Sequence, residues 1–327
     1  MVAGKVGIDN RALKKTYIHV PPIRRLTRSE KVKRALVGSV VSPAYCLLAH
    51  RYRVPGLGLR VKSALLGLHL LFTRKAEVTC SDIYGLIFWP MDSTRYFEFD
   101  FMWHALSKVP RIERYLDVSS PRLFPILILL NKPELIATLI NPDVGDLSYT
   151  ANLIKAIGLD DRCGLYDCLI GSVPFDAESF DVITSMSVVE HIPEDGQAIQ
   201  KMWELLKPNG RLLLTVPCAA QPSEQYIDRN EYGLLSPDEG SFFFFQRLYD
   251  QRLLEERIFS ITGQPRRHVI YGERSPGTLR KNLDRKRGDP FYPYWREPYM
   301  MGQDFCHFKE LGELPGEGVI ALEFEKR

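Results

Sequence analysis

Glu190 and His191 are adjacent titratable side chains just past an apolar, β-branched run, Phe180 to Ser187. Imidazole titrates close to neutrality, so His191 beside a carboxyl group is a candidate general base for removing a proton from a hydroxyl. The ring would serve equally well as a structural tie between the run and the helix that follows it. No third ligand stands at a recognisable spacing, so the pair does not make a metal site. The six cysteines, Cys46, Cys80, Cys163, Cys168, Cys218 and Cys306, include no CxxC pair. They suggest neither a zinc cluster nor a disulfide framework, and a reducing compartment is expected.

The elements that must position Glu190 and His191 can be read locally. Asp176, Glu178 and Ser179 lead into the strand Phe180–Ser187, whose continuous apolar character predicts burial on both faces. Ile199, Met202, Trp203, Leu205 and Leu206 then recur on one helical face, Pro208, Asn209 and Gly210 stop that helix, and Arg211 to Val216 is a second apolar strand. A compact strand, helix, strand unit implies parallel strands joined by a right-handed crossover. Ligands of open parallel sheets sit beyond the carboxyl ends of the strands, which points to Ser185–His191 and Pro217–Gln221.

The stretches VPFDAESFDVITSMSVVEHI and LKPNGRLLLTVP together resemble the fourth and fifth strands of class I S-adenosylmethionine (SAM) dependent methyltransferases of the type 11-like group. That resemblance implies a Rossmann-like α/β sheet, mostly parallel with an antiparallel terminal strand, and SAM as cofactor. RYLDV, residues 114–118, is similar to the family's first strand and carries Asp117 near its end, while Ser119, Ser120, Pro121 and Arg122 replace the usual glycine-rich turn. Glycines there permit positive φ and close approach of backbone amides to the cofactor, and Pro121 has no amide to offer. Ser120 is expected to cap a helix starting at Pro121, or later because of Pro125, with Arg122 available to a carboxylate.

Asn141, after the second strand Leu135–Ile140, stands where the family generally has an acid for the ribose hydroxyls. Asp167, at the end of a third strand Gly164–Cys168, stands near the place of the acid that meets the adenine amine. The resemblance thus implies cofactor binding by Asp117, Ser119, Ser120, Asn141, Asp167 and Ser187, with His191 as the catalytic candidate.

Residues 1–75 hold 16 Lys and Arg against Asp9 and Glu30, whereas the rest of the chain has 27 basic and 38 acidic residues. A basic, partly helical extension therefore precedes an acidic body. Its first 34 residues lack periodicity and read as a solvated arm. The uncharged runs Ala35–His50, interrupted by Pro43, and Ser63–Thr73 fall short of the roughly 18 to 20 residues needed to span a bilayer. Cationic flanks fit a segment lying on an anionic membrane, or helices packed on the body with their charges in water. A solvated charge run is also compatible with nucleic acid, but no recognised nucleic-acid module accompanies it.

Residues 76–110 form an acidic, aromatic entry segment in which Arg95 and Glu98 are expected to pair and the aromatics to pack. The methyltransferase-like domain is expected over 111–327. Tyr226 and Tyr232 lie in the loop after Pro217, Gln246–Ile258 reads as a charged amphipathic helix, Gln264–Tyr271 as a strand, and Gly318–Lys326 as the terminal strand. The insertion 272–317 is too long to be slack and reads as a lid or interaction element.

Two functions compete. One is methyl transfer to a small-molecule, glycan or lipid-linked acceptor, in the cytoplasm or at the membrane periphery. The other is a binding or scaffold protein that keeps the fold with little catalysis, suggested by Ser119–Arg122 and Asn141.

Overall fold

The computed structural model describes residues 13–20, 26–89, 91–231, 233–238, 240–289 and 291–327. Residues 1–12 of the basic extension and Tyr232 lie outside them. The first described strand, β1 (Lys14–Ile18), is followed by helices α1 (Arg28–Arg51), α2 (Leu57–Thr73), α3 (Cys80–Phe88) and α4 (Arg95–Ser107). Alternation then sets in with β2 (Arg114–Val118), α5 (Leu123–Asn131), β3 (Ile136–Ile140), α6 (Val144–Ala156), β4 (Cys163–Tyr166), β5 (Phe180–Met186), α7 (Asp195–Leu205) and β6 (Leu206–Ala219).

The last part holds β7 (Ser223–Ile227), β8 (Phe243–Leu248), α8 (Gln251–Leu254), α9 (Ser260–Thr262), β9 (Arg267–Glu273), α10 (Thr278–Gly288), α11 (Glu297–Asp304), β10 (Phe305–Phe308) and β11 (Glu317–Glu325).

Eight strands form the main sheet in the order β10-β9-β11-β6-β5-β2-β3-β4. β6, β5, β2, β3 and β4 run parallel, while β11 is antiparallel to both β6 and β9. The expected terminal strand is thus present but interior, and β10 makes the edge beyond β9. Both faces are covered, which is why the strands are continuously apolar. Tyr115, Val182, Met186 and Leu213 join the core beneath α2 to α5, whereas Leu116, Ile183, Leu212 and Leu214 point to the other face under α7 and α8.

Several local expectations are revised. The apolar periodicity around Gln246–Ile258 belongs to two elements: β8 pairs antiparallel with β7, and a helical segment starts only at Gln251. β1 pairs parallel with β7, so part of the supposed solvated arm is built into a three-stranded accessory sheet, β1-β7-β8. α1 runs without a break through Pro43 for 24 residues, opened by a capping box between Thr27 and Glu30. By length and composition it is the one described helix long and apolar enough to cross a membrane, a length that the uncharged run alone understated.

The entry segment packs as its aromatics suggested: Tyr96, Phe97, Phe99 and Phe101 are all buried, and Phe97 stacks on Tyr271 of β9 with ring centroids 5.0 Å apart. α2 approaches α3 closely at Gly67, where a Cβ would stand 2.7 Å from Ile87 Cγ1. The insertion packs on α1: the Arg34 guanidinium lies 4.0 Å from the Tyr294 ring, and Tyr299 meets Tyr45 and Tyr52. On the other side of the sheet, Asp195 opens α7 and is fully buried, accepting from Arg247 Nη1 at 2.7 Å, from Arg257 Nε at 2.8 Å and from the Tyr249 hydroxyl. This network fixes β8 and the helix after it against α7.

Candidate functional site

The carboxyl ends of β2 and β3 carry the residues expected to hold a cofactor. Ser119 adopts φ 52, the left-handed conformation for which glycine is usual, so the turn takes the backbone shape a glycine would favour, at some steric cost. Its N–H and hydroxyl both donate to the Ile140 carbonyl, at 2.9 and 3.1 Å. Ser120 does not cap α5, which begins at Leu123 without a side-chain cap; its hydroxyl accepts from Met186 N at 3.1 Å, and its own N–H donates to Asp117 Oδ1 at 3.0 Å. Met186 ends β5, so the hydroxyl is held by the neighbouring strand. The late helix start is the one compatible with Pro125, whose missing N–H falls in the first turn.

Asp117 is buried beneath this turn and accepts from the hydroxyls of Tyr115 at 3.0 Å and Thr184 at 2.6 Å. Burial raises its pKa, while the hydrogen bonds from Thr184, Ser120 and Tyr115 oppose the shift. In this arrangement Asp117 organises the turn.

Both polar atoms of Asn141 are also used within the chain. Its amide donates to Asp146 Oδ2 at 3.1 Å, and its carbonyl oxygen accepts from Asp143 N at 2.9 Å. Asp143 in turn caps α6, accepting from Gly145 N and Asp146 N. Arg122, expected to be available to a ligand carboxylate, is ion-paired with Asp146 and lies 4.0 Å from the Tyr149 ring. Asp167 is exposed one residue past β4, which ends at Tyr166 and not at Cys168.

Asp117, Ser119, Ser120, Arg122, Asn141 and Asp146 line a slot whose cavity is about 10 Å³. A pocket for a ligand of SAM's size needs roughly 300 Å³ or more. As arranged, the slot is narrower than such a ligand: Arg122, Asp146 and Asn141 line it as one bonded chain, and the Ser119 and Ser120 donors are committed within the chain.

A second polar group sits at the carboxyl ends of β5 and β6, and it draws on a residue that the strand motifs do not contain. Glu98 of α4 is fully buried. Its Oε1 accepts from the Ser187 hydroxyl and from Thr215 Oγ1 at 2.6 Å, and its Oε2 accepts from Arg95 Nη1 at 2.8 Å. The expected Arg95–Glu98 pair therefore exists, placed where acceptor chemistry is expected and not on the surface. Sequence gave the pair through its i, i+3 spacing but contained no signal for its location.

Ser187 has φ 48 and donates its N–H to Thr215, so it turns the chain over β6. Its hydroxyl is committed to Glu98, away from the slot between β2 and β3, and the structure does not bring it together with Asn141 or Asp167.

Glu190 is buried next to this group, and desolvation raises its pKa to about 8 against the opposing charge of Arg95. One carboxyl oxygen, Oε2, has no hydrogen-bond partner among the described residues. His191 Nε2 lies 3.8 Å from Glu190 Oε1. Burial lowers the His191 pKa to about 4, so the ring is neutral at pH 7. The Phe245 carbonyl can only accept, which makes His191 Nδ1 the donor to it. The ring is thus tied to β8 of the accessory sheet, whereas the sequence suggested a tie to the following helix. Among the described residues, no group of three or more His, Cys, Asp or Glu side chains could hold a metal ion.

A methyltransferase-domain family profile matches residues 139–214, from β3 into β6. Among solved structures, the MccD protein aligns with TM-score 0.50 and 10% identity over 73% of this chain and all of that one. A geranyl diphosphate C-methyltransferase from Streptomyces coelicolor A3(2) aligns with TM-score 0.46 and 12% identity over 71% of this chain and 78% of that one. At such identities the likeness concerns the fold alone. No curated protein matches the chain. The matched profile and the mostly parallel strand order support a SAM-dependent class I methyltransferase-like fold, a fold whose enzymes take their methyl group from SAM.

Proposed function

We propose that the chain transfers the methyl group of SAM to a small hydroxylated acceptor, glycan or lipid-linked, held beyond β5 and β6, and that it works on the cytoplasmic side of an anionic membrane. The observation that carries the acceptor site is the buried Arg95–Glu98–Ser187–Thr215 group with Glu190 and His191 beside it.

SAM, when bound, supplies a methyl group activated by the sulfonium charge, so the protein's work is mainly positional. Glu98 locks Arg95 and Ser187 in place. Glu190 and His191 have pKa values pushed in opposite directions, about 8 and about 4, which leaves a carboxylic acid and a neutral imidazole side by side at pH 7. Such a pair offers one group that donates to an acceptor hydroxyl and one that can take up its proton, with His191 as the candidate base.

Residues 1–75 are the membrane-facing extension in this proposal, 76–110 the segment that delivers Arg95 and Glu98, and 111–327 the catalytic domain. Asp117, Ser119, Ser120, Asn141 and Asp167 would meet the cofactor after the Arg122–Asp146 pair opens. A scaffold role is the second reading, favoured by the closed slot. Calorimetry with SAM and with its demethylated product separates the two. Saturable heat with either supports the enzyme; no heat and no thermal shift at millimolar ligand supports the scaffold.

A further inference from the structure

Helix α1 turns small residues inward and its large apolar residues outward, the reverse of a helix on a water-facing surface, and α2, which buries Leu59, Leu66 and Leu70 against the body, carries a second apolar stripe on its outer face. In α1, Gly38, Ser42 and Ala49 are buried, and the Ser42 hydroxyl donates to the Phe88 carbonyl at 3.0 Å. In α2, Arg60 is buried and its Nη1 donates to the Leu86 carbonyl at 2.9 Å, while Ser63 donates to the same carbonyl at 3.0 Å. The opposite faces carry Val32, Leu36, Val40 and Leu47 on α1 and Val61, Leu65, Leu68 and Phe72 on α2. Leu36 is 65% exposed, Val40 77%, Leu47 75% and Phe72 80%. Spacings of three, four and seven place each set in one stripe, and no described residue covers either.

The charge around the stripes selects the occupant. Between residues 26 and 76 the chain has one acid, Glu30. Arg28, Lys31 and Lys33 are exposed at the start of α1, Arg51 ends it and Arg53 follows, and Arg74 and Lys75 follow α2. Apolar stripes bordered by cations complement acyl chains bordered by anionic headgroups. A second copy of the chain would bring the same cations against themselves.

α1 is long enough to cross a bilayer, but its inner face is tied to the body. The Tyr84 hydroxyl donates to the Ala35 carbonyl at 2.7 Å, and Arg34 lies over Tyr294. A helix so tied lies along the interface without spanning it.

We infer that the outward stripes of α1 and α2 are the seat of the protein on an anionic lipid surface, with Leu36, Leu47 and Phe72 inserted among the acyl chains. The inference rests on the membrane reading of the proposed function and names the surface responsible. The test is sedimentation of the full chain with phosphatidylcholine vesicles containing one quarter phosphatidylserine, and with phosphatidylcholine alone. The wild-type chain is expected to pellet with the anionic vesicles and to remain largely in solution with the neutral ones.

The triple variant Leu36→Asn, Leu47→Asn, Phe72→Asn, which keeps every charge, is expected to partition at least ten-fold more weakly, with an unchanged melting temperature. Wild type in the supernatant with both vesicles overturns the inference. So does a variant that pellets like wild type, since binding would then be electrostatic alone. A dimer in sedimentation velocity that the triple variant abolishes also overturns it, because the stripes would then meet a second copy. SAM calorimetry on the same preparations keeps the two claims apart: cofactor heat without vesicle binding removes the seat and leaves the methyltransferase, and vesicle binding without cofactor heat does the opposite.

Discussion

Arg122→Ala is expected to tighten cofactor binding, the opposite of what an arginine beside a cofactor site would ordinarily suggest. In the structure the guanidinium is spent on Asp146 and lies over Tyr149, across a slot of about 10 Å³. Both partners line the slot, so cofactor entry is expected to break that pair. The side chains of Arg122 and Asp146 are 41% and 28% exposed, so the pair is screened and contributes about 0.5–1 kcal/mol. Removing that cost corresponds to roughly a two- to five-fold lower dissociation constant.

Titration calorimetry with the demethylated cofactor at 25 °C, wild type against Arg122→Ala, measures it directly. Salt gives an internal control, since exposed pairs are screened over about 10 Å at 0.1 M: wild-type affinity should rise between low and moderate salt and the variant's should stay level. A variant that binds five-fold or more weakly than wild type would refute the reasoning, because Arg122 would then be a cofactor contact in a rearranged site.

Asn141→Asp replaces an amide donor to Asp146 with a second carboxylate, so it should destabilise the start of α6 and lower the melting temperature by a few degrees, an effect of about 1 kcal/mol; an unchanged melt with tighter cofactor binding would restore the simple ribose-acid expectation. Glu190 has its pKa raised from 4.5 to about 8, so the folded state holds a proton that the unfolded state releases, and this contribution to stability is lost as pH rises from about 4.5 to 8, on the order of 1 kcal/mol per pH unit. Denaturant melts should therefore show Glu190→Gln gaining stability over wild type across that window, and parallel pH profiles would contradict it. His191, lowered from 6.5 to about 4, acts in the other direction: its contribution is lost as pH falls from about 6.5 through 4, and His191→Gln should flatten that acid limb. Asp195→Ala removes the fully buried partner of Arg247 and leaves that arginine paired with Glu224 alone, so it should cost about 3 kcal/mol in chemical unfolding, and a loss below about 1 kcal/mol would mean that water enters the network freely.

The alternation of strands and helices from Arg114 to Val216 was legible in the sequence because each element there is set by its own pattern. β5 is apolar throughout because both faces are covered, α7 has one apolar face, and the Lys207–Gly210 stretch bulges as β6 begins, with Asn209 at φ 61. Asp117, Ser119 and Asn141 could be placed at strand ends for the same reason. Their partners could not, because a hydrogen bond from Asn141 to Asp146 or from Ser120 to Met186 depends on how helices and strands settle side by side.

Phe243–Leu248 became a strand because β7 lies alongside it, and local periodicity carries no record of a neighbour. The basic extension announced its charge and its apolar runs, but which faces turn inward was decided by the body: the carbonyls of Leu86 and Phe88, to which Arg60, Ser63 and Ser42 donate, and the burial of Leu59, Leu66 and Leu70. Glu98 makes the same point most sharply. Its pairing with Arg95 is a property of one helical turn, whereas its position under Ser187 and Thr215, 89 and 117 residues away, exists only once α4 is packed on the sheet.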